Sequence, residues 1–205
     1  MPAPLVHMTF AQAYRERHRP ELDERELLRG TVFPDVRRLA GIPREATHRK
    51  GVSLDDVARQ TDAWWVGWWL HSYLDEAWNN FFVGQGLVVN PLMDEATWRA
   101  LKTAEEIGVA ERIEGRERLA KLFEGPLGSN ELASESAPDA TRRWYGFVAW
   151  LLREPYEPES WGRMMQAVGD SSAAEVEELL PLVEQFRQST VWQGRLDKLH
   201  IDLEY

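Results

Sequence analysis

The feature that most constrains this fold is a run of about 30 residues, 53–83, in which Gly67 is the only glycine and no proline occurs. Ser53 is followed three residues later by Asp56, a pattern typical of a capping box at the start of a helix. Half of the chain's ten tryptophans lie in this run, and its apolar positions cover nearly every side of a helix. The sequence therefore predicts one helix, roughly 45 Å long, at the centre of a helical bundle.

The remaining sequence favours helices as well. Apolar residues recur at helical spacing through most of the chain, whereas the alternating pattern of strands is scarce. We therefore predict an all-α, multi-helix bundle arranged around the long central apolar helix. Further helices are expected at residues 5–17, 23–28, 94–110, 116–123, 138–153, 158–168, 172–188 and 190–198.

Two segments interrupt the helical pattern. Residues 31–51 contain two prolines and two glycines besides several arginines, which predicts a long loop with at most one helical turn. A loop of that length in a compact domain is usually functional. Residues 124–139 are rich in Gly, Ser and Pro and are expected to form a linker or lid. The predicted organisation is a helical core at 1–123, the linker or lid at 124–139, and a helical extension at 140–205 packed on the same domain.

Composition narrows the classes of function. The net charge of −10 argues against an extended nucleic-acid surface, because an acidic protein repels polyanions. The chain has no cysteine, so any transition-metal site must use His, Asp and Glu. We find neither a signal-peptide pattern nor an apolar run long enough to span a bilayer, so we expect a cytoplasmic protein without a transmembrane segment.

His71 and Asp75 form the most suggestive polar pair. They are four residues apart, hence on one helix face, and Trp64 and Trp68 continue the same stripe. A carboxylate buried beside an imidazole needs a partner, because an unpaired buried charge is costly. That partner is either a metal ion, or the imidazole itself in a plain hydrogen bond within the core.

Three further residues extend this set. His7 lies among apolar residues of the first helix, Asp35 follows Phe33-Pro34, and His48 follows Thr47. Taken singly, they suit a core histidine, a turn residue and a solvated loop histidine. Taken together with His71 and Asp75, they offer imidazole and carboxylate ligands without sulfur, which suits zinc, manganese or iron.

These five residues, in this order, resemble the zinc-dependent phospholipase C family and its S1/P1-type nuclease relatives over about residues 5–80. A G-x-x-F-P-D turn, a Thr-His pair and an H-S-x-L-D-E helix segment agree with the resemblance. The secreted phospholipases also use a processed N-terminal tryptophan and hold a third metal with later histidines. This chain begins Met-Pro, and only His200 follows Asp75, so a trinuclear site is not expected.

The resemblance implies roles for the five residues. His48, His71 and Asp75 would bind the principal zinc ion. Asp75 would bridge to a second ion that His7 also binds, and Asp35 would bind or orient the attacking water as general base. Two such ions can clamp the attacking and leaving oxygens of a phosphoester.

Substrate recognition is expected from Arg37, Arg44 and Arg49, whose guanidinium groups match phosphate oxygens, and from Asn79, one turn beyond Asp75. A solvated loop is the alternative for the arginines, and a helix cap for Asn79. The leading hypothesis is a metal-dependent hydrolase of a small phosphodiester or phospholipid-like substrate. It would use one or two Zn²⁺ ions, with Mn²⁺ or iron as alternatives. The competing hypotheses are a non-catalytic helical binding or scaffold protein with a metal-like pocket, and an HD-like iron oxygenase.

Overall fold

The computed structural model describes residues 4–84, 95–134, 136–154, 160, 162, 173–190 and 194. Every regular element in these ranges is helical, so the predicted all-α class is confirmed. The helices predicted at 158–168 and 190–198 lie largely outside the described residues.

Short connections separate most of the successive helices. Their bounds are α1 Pro4–His18, α2 Glu24–Val32, the 3-10 helix η1 Phe33–Val36, α3 Arg37–Ala40, α4 Arg44–Thr47, α5 Leu54–Ala58, α6 Ala63–Gly84, α7 Glu95–Arg112, α8 Arg116–Leu122, α9 Ser129–Leu132, α10 Pro138–Arg153 and α11 Ala173–Gln188.

Contacts divide the chain into two compact units. Unit 1 comprises residues 1–6, 77–113 and 155–205, and unit 2 comprises residues 7–76 and 114–154. The division into 1–123, 124–139 and 140–205 made from the sequence stays a prediction. Segment 124–139 does include a short helix, α9.

The single long helix predicted at 53–83 is wrong, because the run forms two helices. The predicted cap is present: the Ser53 hydroxyl accepts a hydrogen bond from the Asp56 N–H, and the Asp56 carboxylate accepts one from the Ser53 N–H. However, α5 ends at Ala58, and the Asp62 carboxylate then accepts from the Trp65 N–H at 3.1 Å. Asp side chains compete for backbone donors in this way and favour helix starts over helix interiors. The remaining α6 has 22 residues, a length of about 33 Å.

None of the described helices is both long enough and apolar enough to cross a lipid bilayer.

The loop predicted at 31–51 is also wrong, because most of this segment is helical. Pro34 occupies the first turn of η1, where its missing N–H costs no hydrogen bond. Gly41 then ends α3 in the left-handed conformation, with φ 67°. The glycines and prolines of this segment therefore separate short helical turns, and those turns bring Asp35 and His48 into the interior.

Two glycines in unit 2 allow α2 and α6 to approach very closely. A Cβ added to Gly30 would lie 2.0 Å from the Trp64 carbonyl oxygen, and one added to Gly67 would lie 2.1 Å from the Leu27 carbonyl oxygen. Since any larger residue would push the backbones apart, both positions require glycine. This contact places the end of α2 against the first turns of α6.

A buried arginine organises the segment after α8. Arg29 is 1% exposed, and its guanidinium lies 3.5 Å from the buried carboxylate of Glu131. The guanidinium also donates to the backbone carbonyls of Leu122, Glu124 and Pro126. Because a buried charge is tolerated only when it is paired and hydrogen-bonded, Arg29 ties the first residues of the predicted linker to α2.

Unit 1 contains a buried acid that is uncharged over much of the acidic pH range. Glu105 on α7 is 1% exposed, and both of its carboxylate oxygens lie 3.0 Å from the Trp78 indole nitrogen, which donates. Burial raises the pKa of Glu105 to about 7, although the Trp78 hydrogen bond opposes the shift. The folded state therefore binds this proton more tightly than the unfolded chain does.

Stability should fall as the pH rises through this pKa. The contribution of protonated Glu105 is complete below about pH 4.5 and is lost near pH 7, a change of about 3 kcal/mol. Glu105→Gln keeps an acceptor for Trp78 but cannot ionise. We expect its free energy of unfolding, relative to the parent, to increase by about 3 kcal/mol between pH 4.5 and pH 8. Urea denaturation at both pH values measures this, with the exposed Glu177→Gln as control; a constant difference would contradict it.

Candidate metal centre

Five candidate ligands come together inside unit 2. His7 lies on α1, Asp35 in η1, His48 directly after α4, and His71 and Asp75 on α6. Ligand atoms of His7, His71 and Asp75 lie within 4.8 Å of one another, as do those of Asp35, His48 and His71. All five side chains are buried, at 7% exposure or less.

The tightest group is formed by His48, His71 and Asp75. The Nε2 atoms of the two histidines are 3.0 Å apart, and Asp75 Oδ2 lies 3.4 Å from His48 Nε2 and 3.8 Å from His71 Nε2. Zinc–ligand bonds of 2.0–2.1 Å at tetrahedral angles separate two ligand atoms by about 3.3 Å. The three atoms thus stand near the spacing that one zinc ion requires.

Hydrogen bonds on the far side of each ring orient both histidines and determine which nitrogen of His71 is free. His71 Nδ1 lies 2.8 Å from the Thr31 carbonyl oxygen, which can only accept, so Nδ1 carries the hydrogen. His48 Nδ1 lies 2.8 Å from the Thr47 hydroxyl, which accepts from the ring in one His48 tautomer and donates to it in the other. The lone pair of the neutral His71 ring is therefore on Nε2, and the neighbouring His48 Nε2 carries either a hydrogen or a second lone pair. Such partners also orient the rings of metal-binding histidines.

The protonation states suit a cation. Burial and the neighbouring His71 lower the pKa of His48 to about 3, and burial and the neighbouring His7 lower the pKa of His71 to about 3. Burial favours the protonated form of Asp75, but His71 and His7 outweigh it and keep the pKa of that carboxyl well below its usual range. Near neutral pH the group is two neutral imidazoles and one carboxylate, so no proton must leave before an ion binds.

His7 lies against this group, and neither of its ring nitrogens has a hydrogen-bond partner in the described residues. Its ring stacks on that of His71 with centroids 3.9 Å apart, and its Nε2 lies 3.4 Å from Asp75 Oδ1 without hydrogen-bond geometry. Within the described part of the chain, His7 Nδ1 and Nε2, Asp75 Oδ1 and Asp35 Oδ1 are buried without hydrogen-bond partners. Each such atom costs about 1–3 kcal/mol, and an ion between His7 Nε2 and Asp75 Oδ1 would satisfy two of them.

The four residues predicted to bind substrate are placed differently. The Arg44 guanidinium donates to Asp75 Oδ2, and its side chain is 39% exposed. Arg37 is half-buried, and burial lowers its pKa. Arg49 is exposed, with its guanidinium 5.8 Å from the centre of the Trp68 ring. Asn79 is exposed on α6 and belongs to unit 1. Arg44 thus contacts a candidate ligand directly, through Asp75.

Two polar side chains on α6 that were not predicted fix the chain after His48. Ser72 Oγ accepts from the Arg49 N–H at 3.2 Å, and Glu76 Oε2 accepts from the Gly51 N–H at 2.9 Å. These bonds hold the backbone beside His48 against the helix that bears His71. The sequence offers one signal for these two residues: each directly follows a predicted ligand, Ser72 after His71 and Glu76 after Asp75.

No protein-family model matches this chain, and no curated protein or solved structure matches it significantly. The resemblance to the zinc-dependent phospholipase C family therefore stays a prediction from the residues themselves. An assignment of function depends on the donor atoms and their geometry.

Proposed function

We propose that unit 2 binds a zinc-like divalent ion through His48 Nε2, His71 Nε2 and Asp75 Oδ2, and that it hydrolyses a small phosphoester there. The observation that supports the ion most directly is the pair of Nε2 atoms, 3.0 Å apart. His71 Nε2 carries a lone pair, because the Thr31 carbonyl holds the hydrogen on Nδ1, and Thr47 orients the His48 ring. At that distance either a hydrogen or a cation lies between the two nitrogens.

The number of protein ligands favours catalysis over a purely structural ion. Structural zinc sites usually have four protein ligands, whereas catalytic sites have three and keep one position open. When bound, such an ion supplies Lewis acidity, which lowers the pKa of water and stabilises charge on a phosphoryl oxygen. The donor set would also accept manganese or iron.

The chain's own residues supply the remaining functions. Asp35 is buried beside the donor atoms of His48 and His71, and its Oδ1 has no hydrogen-bond partner in the described residues. That oxygen would accept the proton of the attacking water. Arg44 is partly exposed and bonded to Asp75, and its guanidinium would neutralise the charge of the substrate's phosphate oxygens. His7 Nε2 and Asp75 Oδ1 would bind a second ion.

One observation favours a second candidate, a metal-binding protein without turnover. All five candidate ligands are at most 7% exposed, so a substrate reaches them only after the side chains around them move. A buried ion of this kind would stabilise unit 2 and catalyse nothing.

Metal analysis and one hydrolysis assay separate the two candidates. Protein purified without added metal should contain one or two zinc ions per chain and hydrolyse bis(4-nitrophenyl) phosphate. Chelation should abolish turnover, and added zinc should restore it. Zinc without turnover would support the non-catalytic alternative. A chain that binds no zinc, manganese or iron from micromolar solution would contradict both.

A further inference from the structure

Unit 2 contains a cavity of about 260 Å³ beside the candidate metal centre, and its walls are unusually aromatic. Four tryptophans of α6 line it together with the phenylalanine that begins η1: Phe33, Trp64, Trp65, Trp68 and Trp69. Pockets for small molecules are typically walled by apolar and aromatic side chains with a few polar groups that set orientation. This cavity has that composition, and its volume is slightly below the usual range of about 300–1,000 Å³.

The aromatic rings meet one another edge to face. Trp64 and Trp65 are inclined at 87°, Trp65 and Trp68 at 68°, and Trp68 and Trp69 at 69°. Trp65 is also 41% exposed, a large apolar surface to leave in water. Trp64 and Trp68 are buried, at 2% and 6% exposure, so the Trp65 indole is the surface that a flat ligand can cover.

The charge of the cavity has a definite sign. Among the described residues that line it, Arg49 is the one charged side chain; the polar remainder is neutral, including Asn130 and Ser134. The Arg49 guanidinium lies over Trp68. In a chain of net charge −10, a lining with one positive and no negative group favours an anion. It disfavours the cationic ligands that aromatic cages otherwise attract.

The cavity and the metal centre share a wall but use different residues. Thr47 lines the cavity, and its hydroxyl contacts His48 Nδ1. Trp68 and Asp75 lie on one face of α6, seven residues or about 10.5 Å apart along the axis. The cavity lining includes none of the five described candidate ligands, so binding there does not require a metal.

We propose that this cavity is a binding site for a small planar aromatic ring with one anionic substituent. The ring lies against the exposed Trp65 indole, and the anion pairs with the Arg49 guanidinium. The flat ring is selected by stacking, and the sign of its charge is selected by Arg49. This inference goes beyond the proposed hydrolysis and stands without it.

Calorimetry in the presence of EDTA tests the proposal without any contribution from a metal. The probes are benzenesulfonate, its saturated counterpart cyclohexanesulfonate, and phenyltrimethylammonium. Benzenesulfonate should bind one-to-one and about tenfold or more tighter than cyclohexanesulfonate, since stacking on an aromatic side chain contributes that much. Phenyltrimethylammonium should bind weakest.

Two variants assign the two interactions. Trp65→Ala should weaken benzenesulfonate about tenfold while leaving cyclohexanesulfonate nearly unchanged, and Arg49→Gln should weaken both anions. The exposed residues Leu54 and Arg59 provide matched controls as Leu54→Ala and Arg59→Gln, which should bind like the parent. Absence of saturable binding, equal affinity for the two sulfonates, or insensitivity to Trp65→Ala would overturn the proposal. A preference for phenyltrimethylammonium would overturn it as well.

Discussion

Replacement of His71 with alanine is expected to lower the affinity for zinc by more than about 100-fold and to abolish phosphoester hydrolysis. Loss of a group that merely orients a metal ligand costs 10–100-fold, and His71 is a ligand in the proposed site. Its Nε2 is within reach of His48 Nε2 and Asp75 Oδ2. Equilibrium zinc titration against a competing chelator measures the affinity. The parent should also gain thermal stability with zinc, because an ion that binds only the folded state stabilises it.

Because His71 is fully buried, its loss also leaves a cavity, so folding must be verified by circular dichroism. His48→Gln provides a second route to the same result at a side chain closer to the surface. His18 is exposed at the end of α1, and His18→Ala should keep the zinc affinity and turnover of the parent. A folded His71→Ala protein with the zinc affinity of the parent would exclude the proposed site.

The all-α fold could be predicted because helical periodicity is a local property that the sequence displays directly. The length of the principal helix could not. Residues 53–83 lack proline, and their one glycine does not end a helix. Asp62 nevertheless caps a new helix that begins at Ala63, because its carboxylate accepts a hydrogen bond from the Trp65 N–H. An aspartate at that position is compatible with a helix interior or a helix start, and tertiary packing decides between them.

The loop prediction for residues 31–51 was wrong for a related reason. Proline and glycine mark the ends of elements, but they do not show whether the residues between them form loops or single helical turns. Here Pro34 begins η1 and Gly41 ends α3, so the same residues that suggested a loop delimit helices.

The set of candidate ligands was recognisable, because residue type and helical spacing are visible in the sequence. Their orientation was not. The tautomer of His71 depends on the backbone carbonyl of Thr31, which no side-chain pattern reports. That carbonyl is within reach because Gly30 and Gly67 let α2 and α6 touch. Likewise, the sequence predicted that Arg44 binds a phosphate, but it did not show the hydrogen bond from Arg44 to Asp75, which only the structure shows.

Replacement of Asp35 with asparagine is expected to reduce kcat by about 10²–10⁴-fold, the usual contribution of a positioned general base. Asparagine keeps the size of the side chain and one oxygen that can coordinate, but it cannot take a proton from water. The zinc affinity should change little, since His48, His71 and Asp75 remain. Asp35 is 4% exposed, so the variant's thermal stability must be compared with that of the parent.

Metal content and kcat measured on one preparation of Asp35→Asn distinguish three roles for this side chain. A general base predicts parent-like zinc and a large loss of kcat. An indispensable ligand predicts that zinc and activity disappear together, which is the alternative that its proximity to His48 and His71 allows. A purely structural residue predicts lower stability with unchanged turnover per folded molecule. Asp23→Asn offers a control, because Asp23 is an exposed helix cap on α2 and not a candidate ligand, and asparagine caps helices equally well. An unchanged kcat in Asp35→Asn, at full zinc occupancy, would remove the general base from the proposed mechanism.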